Sequence, residues 1–184
     1  ISVDGRKDTH DAIRGKGCHD KIKKHANRPD LKIHVSMVIN KMNYQDIECF
    51  IEEWKDVGVK GCLFQMYTPI KGLKNDDLWP GWKLRDEILD KLLRLKDEKY
   101  GDFIGVPSLV LKLMKSDKCK EVTRNCIFRE VSFCLDPQGQ LKKPCMMGPQ
   151  ADCLRCGCML PFHMRVLEDK WLMARELFTS LRRK

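Results

Sequence analysis

Residues 31–66 read LKIHVSMVIN KMNYQDIECF IEEWKDVGVK GCLFQM, and this stretch decides the fold. Leu31, Ile33, Val35, Met37, Val38 and Ile39 form a run rich in β-branched residues that ends almost wholly apolar, as in a strand buried on both faces of a parallel sheet. Asn43 then stands where an N-cap is expected, with Asp46 three residues on, and Ile47, Phe50, Ile51, Trp54 and Val57 fall on one helical face. Gly58 is a natural helix stop. Val59 to Met66 is a second strand of the buried type, so the stretch is a βαβ crossover joining parallel strands.

Working outward, Ile1-Ser2-Val3 reads as a further strand entering a turn at Asp4-Gly5. The segment from Arg6 to Gly17 reads as a polar loop, and a short helix is predicted over Cys18 to Ala26. Beyond the second strand, Pro69, Gly72, Pro80 and Gly81 mark a loop, with Trp79 and Trp82 as part of a substrate wall or packed beneath a helix. Leu84, Ile88, Leu89, Leu92 and Leu93 predict an amphipathic helix to about Lys99, and Ser108 caps a shorter one behind Pro107. Phe128 to Leu135 alternates like a strand, and Asp136-Pro137-Gln138-Gly139 turns it back into Gln140-Leu141-Lys142 as a hairpin. A single packed helix is expected over Arg165 to Leu181.

No apolar run approaches the roughly 20 residues that a bilayer span needs. The chain opens on Ile1 in mid-strand, and we expect an N-terminal portion of a longer protein to precede it. The net charge of +9 suits an anionic partner, but the bases are interspersed with acids and the aromatics do not alternate with them, which disfavours a nucleic-acid groove. Ten cysteines without a signal peptide fit a reducing, cytoplasmic setting, where closely spaced thiols are metal ligands or catalytic groups more often than bridges.

Five of those cysteines, Cys134, Cys145, Cys153, Cys156 and Cys158, crowd into the C-terminal part among Pro144, Gly148, Pro149 and Gly157. Cys134 and Cys145 face each other across the expected hairpin, while Cys153 and Cys156 have the two-residue gap with which successive thiolates bind one ion or cluster. The preferred four are Cys134, Cys145, Cys153 and Cys156, with Cys158 as an alternate ligand. Spacing suits an iron–sulfur cluster and a four-thiolate zinc site alike. Cys119 and Cys126 have no close sulfur neighbour and read as core or periphery of the site; Cys18, Cys49 and Cys62 read as core, and His163 as a helix-start or surface residue.

The opening Ser2-Val3-Asp4-Gly5, with His10-Asp11 and Ile13-Arg14-Gly15-Lys16-Gly17 after it, resembles the fourth strand and following loop of radical S-adenosylmethionine (SAM) enzymes. Val38-Ile39-Asn40-Lys41-Met42-Asn43 looks like the end of the fifth strand of the same barrel, and Gly61 to Pro69 like the sixth. The terminal cysteines resemble the auxiliary-cluster extensions of the SPASM or twitch type and the tail of adenosyl-hopene synthase-like proteins. The resemblance implies an α/β fold, the C-terminal part of a (β/α)6 partial TIM-type barrel over residues 1–115. A cysteine-rich auxiliary-cluster region over 116–160 and a terminal amphipathic helix over 161–184 follow it.

The resemblance further implies that Ser2 and Asp4 bind the SAM ribose, Arg14 its carboxylate, and that Asn40 lies near the ribose or adenine, with Gln65 and Tyr67 toward substrate. It implies an auxiliary [4Fe-4S] cluster in the tail and an external electron donor such as a ferredoxin or flavodoxin. The substrate would be a small molecule, lipid or peptide. The family's three-cysteine motif and glycine-rich motif are missing and belong before Ile1, so the catalytic [4Fe-4S] cluster would be held there and this chain alone would not cleave SAM. The rival reading is a zinc-ribbon-like binding module contacting nucleic acid or an acidic partner.

Overall fold

The burial pattern that made residues 47–57 readable as a helix is what assembles the core. In a computed structural model that describes residues 1–28, 30–73 and 76–181, Ile47, Phe50, Ile51 and Trp54 are all fully buried against two parallel strands. In chain order the elements are α1 (Lys7–Arg14), α2 (Cys18–Ala26), β1 (His34–Ile39), α3 (Ile47–Val57), β2 (Gly61–Met66), α4 (Gly81–Leu95), α5 (Ser108–Leu113), α6 (Ser116–Arg124), α7 (Phe128–Val131), α8 (Leu160–Glu168) and α9 (Lys170–Leu181). The fold is mixed α/β, mostly helical, with a two-stranded parallel sheet as its only sheet among the described residues.

β1 and β2 pair in register from His34 opposite Gly61 to Ile39 opposite Met66. A single parallel bridge extends the pairing at each edge, Ser2 to Ser36 on one side and Cys62 to Ile104 on the other. Four chain segments therefore run in the same direction side by side. Gly61 sits where a Cβ would come within 3.0 Å of the Phe103 carbonyl oxygen, and that close approach lets the fourth segment lie against β2. α3 ends as expected at Gly58, whose φ of 91° is the left-handed conformation that closes a helix.

Several expectations are corrected. The Arg6 to Gly17 segment holds α1, which the apolar periodicity missed because His10 is its one fully enclosed side chain. Asn43 does not cap α3; a short 3-10 turn over Tyr44–Asp46 comes first, and the Asn43 amide is used elsewhere. Pro107 rather than Ser108 occupies the N-cap place of α5. Phe128 to Leu135 opens as the short helix α7, and the hairpin survives only as one bridge between Leu135 and Leu141. Phe133 is 78% exposed, so the alternation had no sheet face to pack on. The terminal helix is two helices, broken at Asp169, and Arg182 to Lys184 lie outside the described residues.

Candidate functional site: the strand ends and the cysteine tail

The carboxyl ends of the strands carry the first group of candidate residues. Asp4 is buried, and both its carboxylate oxygens are engaged: Oδ1 accepts from the Val38 amide at 3.0 Å and Oδ2 from Arg14 Nε at 2.5 Å. Asn43 joins the same knot, donating from Nδ2 to the carbonyls of Val38 and Asp4 and accepting from the Asn40 amide at 2.8 Å. Asn40 is buried, and its Oδ1 accepts from the Met42 amide. Asp4, Arg14, Asn40 and Asn43 thus form one hydrogen-bonded unit across the first two strand ends. Ser2 lies two residues back, exposed, and shares with Arg14 the wall of an open cavity that also touches His10 and Cys18.

His10 is fully buried and accepts from the Asp4 amide through Nδ1, while burial and the neighbouring His19 hold its pKa below the usual value. An imidazole that accepts at Nδ1 is neutral and carries its proton on Nε2. His10, His19 and Trp54 stack edge to face in sequence, which fastens α1 and α2 to the platform.

The cysteine tail lies over the carboxyl end of β2. Met66 donates from its amide to the Gly157 carbonyl at 2.9 Å, and the Gly157 amide donates to Thr68 Oγ1 at 2.8 Å. Farther along, Asp152 donates to the Pro69 carbonyl, Lys71 to that of Gln150, and Ile70 bridges Ala151 antiparallel. Residues some eighty positions apart are therefore paired backbone to backbone. Gly157 is what permits this, because a Cβ there would sit 1.8 Å from the Met66 carbonyl oxygen.

Arg85 locks the tail from beneath. Fully buried on α4, its guanidinium donates to the carbonyls of Met114, Arg155 and Cys156 and to the sulfur of Cys119. Trp79 and Trp82, ring centroids 5.4 Å apart, stand over it at 5.8 and 5.2 Å. The two tryptophans are thus packed around a buried cation; within the loop that carries them, Lys74 and Asn75 lie outside the described residues. Arg85 has no carboxylate hydrogen-bonded to it among the described residues; its charge is met by carbonyl dipoles, the Cys119 sulfur and the two indole faces, with Asp86 adding a longer-range attraction.

The sulfurs fall into a connected neighbourhood. Burial raises the Cys126 thiol pKa, and nearby Cys145 and Cys153 push it the same way. Burial likewise raises Cys158, with Cys145 and Cys126 adding to it. Cys156 is pushed up to about 12, chiefly by burial and then by Cys158. Cys126 is thus electrostatically coupled to Cys145, Cys153 and Cys158, and Cys156 to Cys158, Cys119 and Arg85. Cys134 lies in the hairpin, its carbonyl accepting from the Lys142 amide. Among the described residues no three histidine, cysteine or acidic side chains converge as a ready metal-binding group.

Sequence spacing places Cys126 at the margin because it has no sulfur within a few residues, and its coupling to Cys145 and Cys153 arises only in the tertiary structure. Cys62 and Cys119 are core thiols as expected, whereas Cys49 is exposed on the outer face of α3. Tyr67 sits beside Asp76 with its hydroxyl pKa raised, mainly by burial. His163 lies in the first turn of α8, half-buried, its pKa lowered by burial. No helix is long and apolar enough to cross a membrane among the described residues. No protein-family model matches the chain, and no curated protein or solved structure does either.

Proposed function

We propose that this chain is the C-terminal half of a radical SAM enzyme whose tail thiols hold an auxiliary [4Fe-4S] cluster. The observation that carries the reading is the docking of the thiol-rich tail over the carboxyl end of β2, the end at which parallel α/β units gather ligands. In this reading the four parallel segments of residues 1–115 belong to a (β/α)6 partial barrel. Residues 116–160 form the cluster region, and the terminal helices α8 and α9 follow it.

The thiols fit such a group by donor type, and thiolate ligands suit iron–sulfur clusters and zinc alike. Cys126, Cys145, Cys153 and Cys158 are the proposed ligands, in place of a set that includes Cys134 and Cys156. Cys156 meets Arg85 through its backbone carbonyl, which leaves its sulfur as an alternate ligand. When bound, an iron–sulfur cluster supplies one-electron chemistry or anchors a substrate. At the strand ends, Asp4 holds Arg14 in place for the SAM carboxylate, Ser2 meets the ribose, and Asn40 with Asn43 sets the loop that borders the adenine. The catalytic cluster and SAM cleavage require residues outside this chain, and electrons would come from a ferredoxin- or flavodoxin-like donor.

Anaerobic reconstitution followed by iron and acid-labile sulfide analysis and Mössbauer spectroscopy tests the assignment. About four irons per chain with a [4Fe-4S] signature is the expected result. A colourless protein retaining one zinc and no iron after anaerobic purification overturns it and favours the zinc-bearing binding module.

A further inference from the structure

A cavity of about 1090 Å³ opens beside the cysteine tail, and its wall carries more bases than acids. Lys71, Arg124, Arg129, Lys143 and Arg165 line it, drawn from the loop after β2, the end of α6, α7, the hairpin return and α8. Three carboxylates, Glu121, Glu130 and Glu168, share the wall and leave an excess of positive charge. Arg165 is partly neutralised by Glu168 at 3.4 Å and Asp169 at 3.8 Å. Arg124, Arg129 and Lys143 have no ion pair among the described residues, so their charge faces the cavity and solvent.

The loop after β2, the α6–α7 stretch, the hairpin return and α8 thus deliver five cations to one concavity. Such a concavity focuses field lines and concentrates anions. The two guanidiniums without an ion pair among the described residues, Arg124 and Arg129, add planar forks that match phosphate oxygens. The volume is ample for a drug-sized molecule. Cys126 lies in the same wall, which sets the cavity against the shared thiol environment.

We infer that this basin binds the phosphate or diphosphate group of a phosphorylated small molecule, placing the rest of that molecule along the cysteine tail. The binding stands on the cations themselves; its role as substrate recognition rests on the proposed enzyme reading. The phosphate is held by Arg124, Arg129 and Lys143, while Lys71 and Arg165 complete the rim. The carboxylates limit the site to a compact anion and weaken it for a continuous polyanionic backbone.

The test is calorimetric titration of the full chain with inorganic pyrophosphate, before and after anaerobic iron loading, with iron measured in each sample. Saturable binding that weakens at least tenfold in Arg124→Gln and Arg129→Gln, and is unchanged in Lys24→Gln on the far helix α2, is expected. Pyrophosphate should also slow alkylation of Cys126 in the iron-free chain. Equal affinity in all variants, an absence of saturable binding, or tighter binding of a single-stranded oligonucleotide than of pyrophosphate would overturn the inference. Pyrophosphate binding without iron uptake upholds the basin and sinks the cluster reading, so the two fail separately.

Discussion

The βαβ platform and the cysteine tail are held together in opposite ways. In the platform, Val35, Met37, Ile39, Phe50, Ile51, Trp54 and Phe64 are buried to within a percent or so, and the side chains interlock between α3 and the two strands. In the tail, Val131, Phe133, Leu135 and Leu141 are each about half exposed or more, and what fastens it is a ladder of backbone hydrogen bonds, one buried arginine and a set of neighbouring thiols. A region with so little apolar burial of its own takes its order from what it leans on and from what its thiols bind. Platform and tail should therefore respond differently to the same class of perturbation.

The largest effect is expected for Trp54→Ala, which empties the centre of the platform and should cost about 3–5 kcal/mol. Urea denaturation should show both regions lost in one transition; survival of the platform would break the comparison. Gly157→Ala should be nearly as damaging but confined to the tail. Its Cβ would sit 1.8 Å from the Met66 carbonyl oxygen, so the backbone pairing must part at a cost of about 3 kcal/mol. Limited proteolysis should then cut between residues 126 and 159 while the platform fragment persists. Arg85→Met strips the donors from the Met114, Arg155 and Cys156 carbonyls, with an expected loss of about 1–3 kcal/mol. The tail should loosen while the strands keep their amide-exchange protection.

Two smaller effects sharpen the contrast. Cys126→Ser should abolish most iron retention after anaerobic reconstitution whereas Cys134→Ser should keep it, and the reverse order would restore the ligand set that spacing alone favours. Acidification acts through histidines. Burial holds His10 and His163 below the ordinary value of 6.5, so the unfolded chain takes up protons there more readily than the folded one. Their stabilisation is complete above about pH 6.5 and declines as the pH falls below it. Thermal melts should drop between pH 7 and pH 5, with a shallower slope in His10→Gln; an unchanged slope would remove His10 from this account.

The parts of the fold that were legible are those in which a short period in the sequence meets a face that truly packs. Residues 34–39, 47–57 and 61–66 carry that signal, as does the positive-φ stop at Gly58, and α2 begins and ends where its residues indicate. α1 escaped notice because His10 is its one fully buried residue, and α6 because its buried face is built from Cys119, Val122 and Thr123. Phe128 to Leu135 carries a strand-like alternation but folds as helix and open turn, since no neighbouring strand was available to it.

The sequence by itself determined that parallel strands flank a packed helix and that a thiol-rich segment follows them. Tertiary structure alone decided that Asn43 would tie the strand ends, that Arg85 would lie buried under Cys156, and that Cys126 would couple to Cys145, Cys153 and Cys158. The reason is physical. Periodicity records how each residue meets its own element, whereas these contacts join residues tens of positions apart, and they form only when close approaches such as that at Gly157 let one backbone lie against another.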